Sequence, residues 1–222
     1  KRKVIHVDID AAEINKNVPC YIGVCARAEE FLRAFLKVLI KEDVKNNWDD
    51  WYERVLSWKE LHKEKEENEE GLLPQTVIKT VNKYAGDRAT VVTDVGQNQM
   101  FCAQHYNMKY PNYFVTSGGL GTMGFGLPAS LGSAVGNKNN NTILFVGDGG
   151  VQMTIQELST VKKLNLPIKI FILDNRCLGM VRQWQELFYN KNYSHTLLDD
   201  NPDFIKIAEA YNIKSVTLCE KS

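Results

Sequence analysis

The sequence predicts an α/β fold, a parallel sheet flanked by helices and preceded by the tail of a second α/β domain, and three observations carry that prediction. Two apolar runs, Ile-Leu-Phe-Val at 143–146 and Ile-Lys-Ile-Phe-Ile-Leu at 168–173, are bounded by turn residues and read as strands covered on both faces. The stretch from Thr154 to Leu164 between them reads as a helix, and right-handed crossover places both strands in one parallel sheet. Each run also leads into an oxygen ligand, Asp148 after the first and Asn175 after the second. Ligands of such sheets lie beyond the carboxyl ends of the strands, so these two residues are expected at one edge.

The remaining elements follow in order. Lys3 to Ile9 and Tyr21 to Cys25 read as strands, Ala11 to Asn15 as a short helix, and Glu29 to Ile40 as an amphipathic helix. Residues 1–45 are thus expected to be the end of an α/β domain. Trp48, Trp51, Tyr52, Val55 and Trp58 are expected on one face of a further helix, packed against the rest of the protein. The charge run from Lys59 to Glu70 is too polar to pack, and 46–73 is read as a helical segment and charged linker ending at Gly71 and Pro74. In the second domain, 74–222, a helix begins over Gln75 to Tyr84. Thr90 to Val95, Phe114 to Ser117, Ile143 to Val146, Ile168 to Leu173 and Lys214 to Leu218 are the candidate strands. The asparagine cluster from Asn137 to Asn141 is a loop by composition.

A carboxylate and an amide carbonyl at neighbouring strand tips suit magnesium, which prefers oxygen ligands and completes its octahedron with water and phosphate oxygens. Gly149 and Gly150 allow the backbone to close on a phosphate, and the helix that follows offers unpaired N–H groups. Soft-metal chemistry is not expected: the five cysteines contain no Cys-x-x-Cys pair, and the four histidines form no pair at helical spacing.

The ordered blocks Val95-Gly-Gln-Asn-Gln-Met100, Thr116-Ser-Gly-Gly-Leu-Gly-Thr-Met-Gly-Phe-Gly-Leu-Pro-Ala129, Leu178-Gly-Met-Val-Arg-Gln-Trp184, Leu187-Phe-Tyr189 and Ser194-His-Thr196 go further than any single motif. With Gly147-Asp-Gly-Gly150 and Asn175, they resemble the thiamine diphosphate enzymes, and within them the catalytic subunit of the acetohydroxyacid (acetolactate) synthases. The similarity runs from Val4 to about Leu218, which implies the diphosphate-binding domain fold for the second domain.

That resemblance implies thiamine diphosphate, Mg2+ and FAD as cofactors. It implies that Asp148, Asn175 and the backbone carbonyl of Cys177 bind the magnesium, that Gly149, Gly150, Leu178, Gly179 and Met180 approach the diphosphate, and that Gln97 and Asn98 reach it from the preceding loop. The family usually has histidine where this chain has Asn98, and an amide donates a hydrogen bond without carrying charge. Gly121, Thr122 and Met123 fall at the cofactor rings, with Met123 as the wedge that folds the cofactor. Asp8 and Ile9 fall near the flavin nucleotide, although Ala26-Arg27 stands where the family has Gly-Asp. The family's glutamate that sets the cofactor tautomer lies upstream of Lys1, so no catalytic side chain is assigned in this stretch, and Glu157 is read as a surface or capping carboxylate.

The implied reaction is decarboxylation of pyruvate and carboligation to a second 2-oxo acid, pyruvate or 2-oxobutyrate. This is the first common step of branched-chain amino acid biosynthesis, toward isoleucine, valine and leucine. Met180, Val181 and Trp184, at i, i+1 and i+4 of one helix, are expected to line the substrate pocket. The family builds its site between subunits, implying a homodimer or higher homo-oligomer, a possible regulatory subunit, and no activity in the fragment alone. The implied location is plastid or mitochondrion in a eukaryote and cytoplasm in a bacterium.

Three other readings compete, one of them a non-catalytic subunit or degenerate binding module, against which the intact metal ligands argue. The cofactor could serve an oxidase, a decarboxylase or another carboligase. Alternatively, Gly119-Leu-Gly-Thr-Met-Gly124 fits a dinucleotide fingerprint of an NAD-linked oxidoreductase, but that needs an acid about twenty residues on, where Asn137 to Asn141 stand. Composition narrows the classes. Zero formal net charge gives no basic excess for nucleic acid, no apolar run reaches membrane-spanning length, and Lys1 to Asp10 reads as the middle of a domain rather than a signal peptide. Free cysteines are expected to be small core residues.

Overall fold

In a computed structural model of the chain, residues 2–45, 48–67 and 72–219 are described. The chain divides into two compact units, Lys1–Asn68 and Glu69–Ser222. In the first, β1 (Ile5–Asp8) pairs in parallel with β2 (Ile22–Cys25). Between them Asp10 caps a 3-10 turn, Ala11–Glu13, by accepting the Ala12 N–H. Two helices follow, α1 (Ala28–Lys41) and α2 (Asp49–Glu67).

α2 carries both the expected aromatic face and the first part of the charge run. Trp51, Tyr52 and Trp58 are exposed in this chain while Val55 is half-buried, and Trp51 meets Trp58 edge-on with ring centroids 5.6 Å apart. Trp51 and Trp58, seven residues apart, share one face of the helix, and that face is open in this chain. The charge run is also helical as far as Glu67, because Glu and Lys are good helix formers even where nothing packs on them. The rest of the expected linker, 68–71, lies outside the described residues.

The second unit opens with α3 (Pro74–Ala85), whose proline occupies the first helical turn, where its missing N–H has no helical partner to lose. Then come β3 (Thr90–Thr93), α4 (Gln97–His105), β4 (Phe114–Val115), α5 (Gly126–Gly136) and β5 (Thr142–Gly147). They are followed by α6 (Asp148–Gln152), α7 (Leu158–Lys163), β6 (Ile168–Leu173), α8 (Gly179–Phe188) and α9 (Phe204–Ala210). The four strands form one sheet in the order β4-β3-β5-β6, every neighbour parallel.

Strand periodicity divides the core between the two faces of this sheet. Val91, Ile143 and Phe145 point to one side and pack with Ile78 of α3 and Cys102 and Tyr106 at α4. Val92, Leu144 and Val146 point to the other and pack with Leu127 of α5, Val151 of α6 and Leu158 and Val161 of α7. Both faces are covered, which is why these strands read as unbroken apolar runs. Burial raises the Cys102 thiol far above the ordinary thiol range and leaves it an inert core residue.

Two sequence expectations differ from the structure. Lys214 to Leu218 is not a strand: it has no ladder partner among the described residues, and Val216 is 76% exposed. The helix expected from Thr154 instead begins at Asp148, breaks at Met153 and resumes through a 3-10 turn, Ile155–Glu157, into α7. Glu157 makes no side-chain cap hydrogen bond there.

The topology fixes where a ligand can sit. The link leaving β3 carries α4 to one face, and the link leaving β5 carries α6 to the other. These two strands are neighbours, so their carboxyl ends open a crevice at the switch point of the sheet.

Candidate functional site

Three strand ends converge on that crevice. β3 delivers Asp94 and Gln97, β5 delivers Asp148 to Gly150, and β6, paired with β5 through Gly147 and Leu173, delivers Asp174 and Asn175. Asp148 is only 2% exposed. Burial raises its pKa, opposed by hydrogen bonds from Asn201 and the Gly149 amide and reinforced by the negative charge of Asp174. Among the described residues no basic side chain pairs with it. A desolvated carboxylate beside a second acid, with only neutral donors, is a site a cation would stabilise.

Asn175 stands exposed at the neighbouring tip, its Oδ1 accepting the Cys177 N–H at 3.1 Å while Asp174 Oδ1 accepts the Arg176 N–H at 3.2 Å. These two side-chain turns hold Arg176 in the left-handed region, φ 54°, a conformation that costs a non-glycine residue about 1–2 kcal/mol. The loop is clamped from outside as well. Leu178 N–H donates to Thr196 O and Leu198 N–H to Arg176 O, so 196–198 runs as a short antiparallel brace along it.

Gly149 faces a cradle. A Cβ there would lie 3.0 Å from Leu178 Cδ2, 3.2 Å from Leu198 Cδ1 and 3.6 Å from Met123 Cε, which brings the glycine-rich segment and the 178–180 turn over one backbone position. Gly121 and Gly124 both have positive φ, 66° and 83°, and Thr122 N–H donates to Ser117 Oγ, so the segment folds back as a turn that presents Thr122 and half-buried Met123.

Two residues expected at the phosphate, Gly150 and Asn98, are buried. Gly150 is buried, and a Cβ there would meet Asp94 Oδ1 at an impossible separation, so this glycine makes room for a carboxylate of the protein. Asn98 is 5% exposed and turned inward: its short amide donates to Val95 O at 3.2 Å, and its buried Oδ1 has no partner. Gln97 does stay at the opening. Its Nε2 donates to Gln183 Oε1 at 3.1 Å and its Oε1 accepts from Asn175 Nδ2 at 3.3 Å, which ties α4 to the β6 tip and to α8.

Met180, Val181 and Trp184 come together on α8, where with Gln185, Tyr189 and Asn192 they line an apolar cleft of about 410 Å³. Trp184 is 57% exposed and packs edge-on against Phe188. Asp8 and Ile9 belong to the first unit. Asp8 Oδ1 accepts the Asp10 N–H, and Ile9 is 68% exposed.

Four further residues belong to the site, and of these only Gln183 lies in a quoted sequence block. Asp94 is fully buried and accepts the Gly124 N–H at 3.1 Å and the Gly126 N–H at 2.7 Å, pinning the glycine-rich segment to β3. Its one sequence signal is an acid closing an apolar strand. Asn201 bridges Asp148 and Asp174, Gln152 orients Asn201, and Gln183 holds Gln97. Among the described residues no three His, Cys, Asp or Glu side chains converge as a metal cluster. The cation candidates are of another kind, one carboxylate with amide and backbone carbonyls, the oxygen set a hard cation takes.

Residues 94–222 match the family described as thiamine pyrophosphate enzyme, C-terminal TPP binding domain. The acetolactate synthase large subunit of Haemophilus influenzae is 42% identical over 212 residues, covering 94% of this chain and 37% of that protein. That of Lactococcus lactis is 43% identical over 220 residues, 97% of this chain and 37% of that protein. A probable acetolactate synthase large subunit of Methanocaldococcus jannaschii is 41% identical over 220 residues, 96% of this chain and 37% of that protein. The chain thus spans 37% of the length of each of these relatives, and the matched family covers the Gly119 to Gly124 segment that also fits a dinucleotide fingerprint.

Proposed function

This chain belongs to the thiamine pyrophosphate enzymes, with residues 94–222 as their C-terminal TPP binding domain, and we propose that the complete protein carrying it is an acetolactate synthase. In this reading it decarboxylates pyruvate and joins the remaining two-carbon unit to pyruvate or 2-oxobutyrate. The observation that carries the reading is the combination at one crevice: a buried carboxylate with no cationic partner among the described residues, the Gly149 cradle under Met123 and Leu178, and the apolar cleft on α8.

The residues fit thiamine diphosphate with magnesium. Asp148, Asn175 and the Cys177 carbonyl would hold the ion, while Gln97 and the Leu178 to Met180 turn would meet the diphosphate at the start of α8. Bound there, the cofactor supplies the electron sink for loss of carbon dioxide from a 2-oxo acid. The chain's own contribution is positional. Met123, held over Gly149 by the Asp94 brace, sets the height of the ring site, and the α8 side chains exclude water and shape the acceptor space.

A flavin on the first unit belongs to the same proposal with less support from this chain. Ile9 is exposed, the Asp8 carboxylate is engaged by local backbone, and Arg27 stands where the resemblance implies an acid. No step is assigned to it. A homo-oligomer with the site between subunits belongs to the proposal too.

Mass spectrometry of products from pyruvate with 2-oxobutyrate tests the activity. Acetolactate and acetohydroxybutyrate are expected, and acetaldehyde or acetate alone would instead indicate a decarboxylase or an oxidase. In the same assay Trp184→Leu is expected to lower the preference for 2-oxobutyrate about five- to tenfold, because an added methylene in an apolar pocket is worth about 1–3 kcal/mol. An unchanged product ratio would remove Trp184 from the pocket.

Gly179→Ala separates binding from folding. The new Cβ would meet the ends of two flexible amides, Gln97 Oε1 and, at 2.7 Å, Asn175 Nδ2, which can swing away at little folding cost. The expected result is a thermal midpoint close to wild type with cofactor affinity about tenfold weaker, as the loss of one or two hydrogen bonds implies. Unchanged affinity by calorimetry would show that these amides do not serve the diphosphate.

A further inference from the structure

We propose that Asn201 is a positioning residue that makes Asp148 a one-oxygen ligand, and so selects a small octahedral cation over a larger one. The inference rests on the cation site proposed above and concerns a residue outside its ligand set. Asn201 Nδ2 donates to Asp148 Oδ2 at 2.7 Å and to Asp174 Oδ1 at 3.1 Å. Gln152 Nε2 donates to Asn201 Oδ1 at 3.0 Å and to the Asp148 backbone carbonyl, also at 3.0 Å.

These bonds fix the orientation of both amides. A backbone carbonyl only accepts, so the Gln152 atom facing it is nitrogen, and the Asn201 atom facing that nitrogen is oxygen. The Asn201 amino group must then face the two carboxylates, with one hydrogen for each. Asn201 thus braces the acid that follows β5 against the acid at the β6 tip, across a sequence separation of 53 residues on one side and 27 on the other.

The consequence is chemical. Asp148 Oδ2 is engaged by a short hydrogen bond, so a cation that left this bond intact would be held through Oδ1 alone. Magnesium takes carboxylates this way and fills its octahedron with water and phosphate oxygens, whereas calcium is larger, accepts six to eight oxygens and often grips a carboxylate through both. A two-oxygen grip would need Oδ2 turned inward, breaking the Asn201 bond and leaving Asp148 and Asp174 without their shared donor. Asn201 therefore raises the cost of the larger ion without touching either ion.

The test titrates Mg2+ and, separately, Ca2+ into the complete protein at saturating thiamine diphosphate, with calorimetric readout. Wild type, Asn201→Ala, Gln152→Ala and Asp148→Ala are compared, and the thermal midpoint of each is measured without cation. Loss of a partner to a metal ligand typically weakens affinity about 10- to 100-fold. Asn201→Ala is expected to weaken Mg2+ by at least that lower bound while Ca2+ changes less than about threefold, so the Mg2+/Ca2+ affinity ratio falls. Gln152→Ala, which only frees the orientation of Asn201, is expected to lower the ratio in the same direction by a smaller factor, and it carries the test should Asn201→Ala not fold. A lowered thermal midpoint with an unchanged affinity ratio in the folded variants would overturn the proposal in favour of a purely structural brace. The cation reading fails separately, if Asp148→Ala binds Mg2+ as wild type does. Loss of binding in Asp148→Ala together with an unchanged ratio in the other two variants sinks the role of Asn201 alone.

Discussion

Asp148→Ala is expected to abolish magnesium-dependent binding of thiamine diphosphate, an effect of at least about a hundredfold. Losing a mere hydrogen-bond partner of a metal ligand already costs about 10- to 100-fold. Here the ligand itself goes, and it is the one buried carboxylate that the crevice offers at the end of β5. Calorimetry on the complete protein gives the answer directly, and wild-type affinity in the variant would refute the assignment.

The same residue predicts a pH dependence whose sign is unusual for an acid. Burial, with the Asp174 charge beside it, raises the pKa of Asp148, so the folded protein holds this proton more tightly than the unfolded chain does. Below the unfolded value both states are protonated and the group contributes nothing. Between the unfolded and the raised folded value, stability falls as pH rises, and above the folded value the full cost of the buried charge is present. A divalent cation at the carboxylate removes that cost. Stabilisation by Mg2+ should therefore be small at acidic pH and grow as pH passes through this window. Thermal midpoints with and without Mg2+ check it, and a gain that does not change with pH would contradict it.

Asp94→Ala is expected to be among the most destabilising single substitutions in the second unit, at about 3–5 kcal/mol, because two backbone N–H groups lose a charged acceptor inside the protein. Gly124 and Gly126 cannot turn those groups to water. Gly124 is held at positive φ beside Met153, and a Cβ at Gly126 would lie 2.9 Å from both Asp94 N and Leu144 Cδ1. The loss should spread to the site, since the pinned segment carries Met123. A lowered urea midpoint and weaker cofactor binding should appear together. A change below about 1 kcal/mol, the size of an ordinary neutral hydrogen bond, would show that Asp94 is not the pin. Gly150→Ala drives a methyl group into the same carboxylate and is expected to act in the same direction.

How much of this was legible in the chain depended on the range of the interaction. β5 and β6 were readable because residues 143–146 and 168–173 face apolar neighbours on both sides and so show unbroken hydrophobic runs. The convergence of Asp148 and Asn175 on one edge follows from a parallel crossover, which is a local rule. Lys214 to Leu218 has strand-like composition, but a strand is defined by its ladder partner, and composition does not reveal one. Gly149 and Gly150 looked like a turn that opens onto a phosphate. They lie in the first turn of α6, where Gly150 also clears a carboxylate contributed 56 residues earlier by Asp94. Asp94, Gln152, Gln183 and Asn201 act through a few long-range hydrogen bonds, and such bonds leave no periodicity to read. Trp51 and Trp58 share the helix face that their spacing predicts, and in this chain that face is exposed.

The central claim is that the tips of β5 and β6 grip one cation and that this ion anchors the diphosphate. A crystal structure of the complete protein grown with thiamine diphosphate and Mn2+ in place of Mg2+, with anomalous data collected at the manganese edge, tests it most directly. The account predicts one anomalous peak bound by Asp148 Oδ1, Asn175 Oδ1 and the Cys177 carbonyl, with diphosphate oxygens completing its shell. A diphosphate held in the crevice with no peak between those two side chains would contradict it.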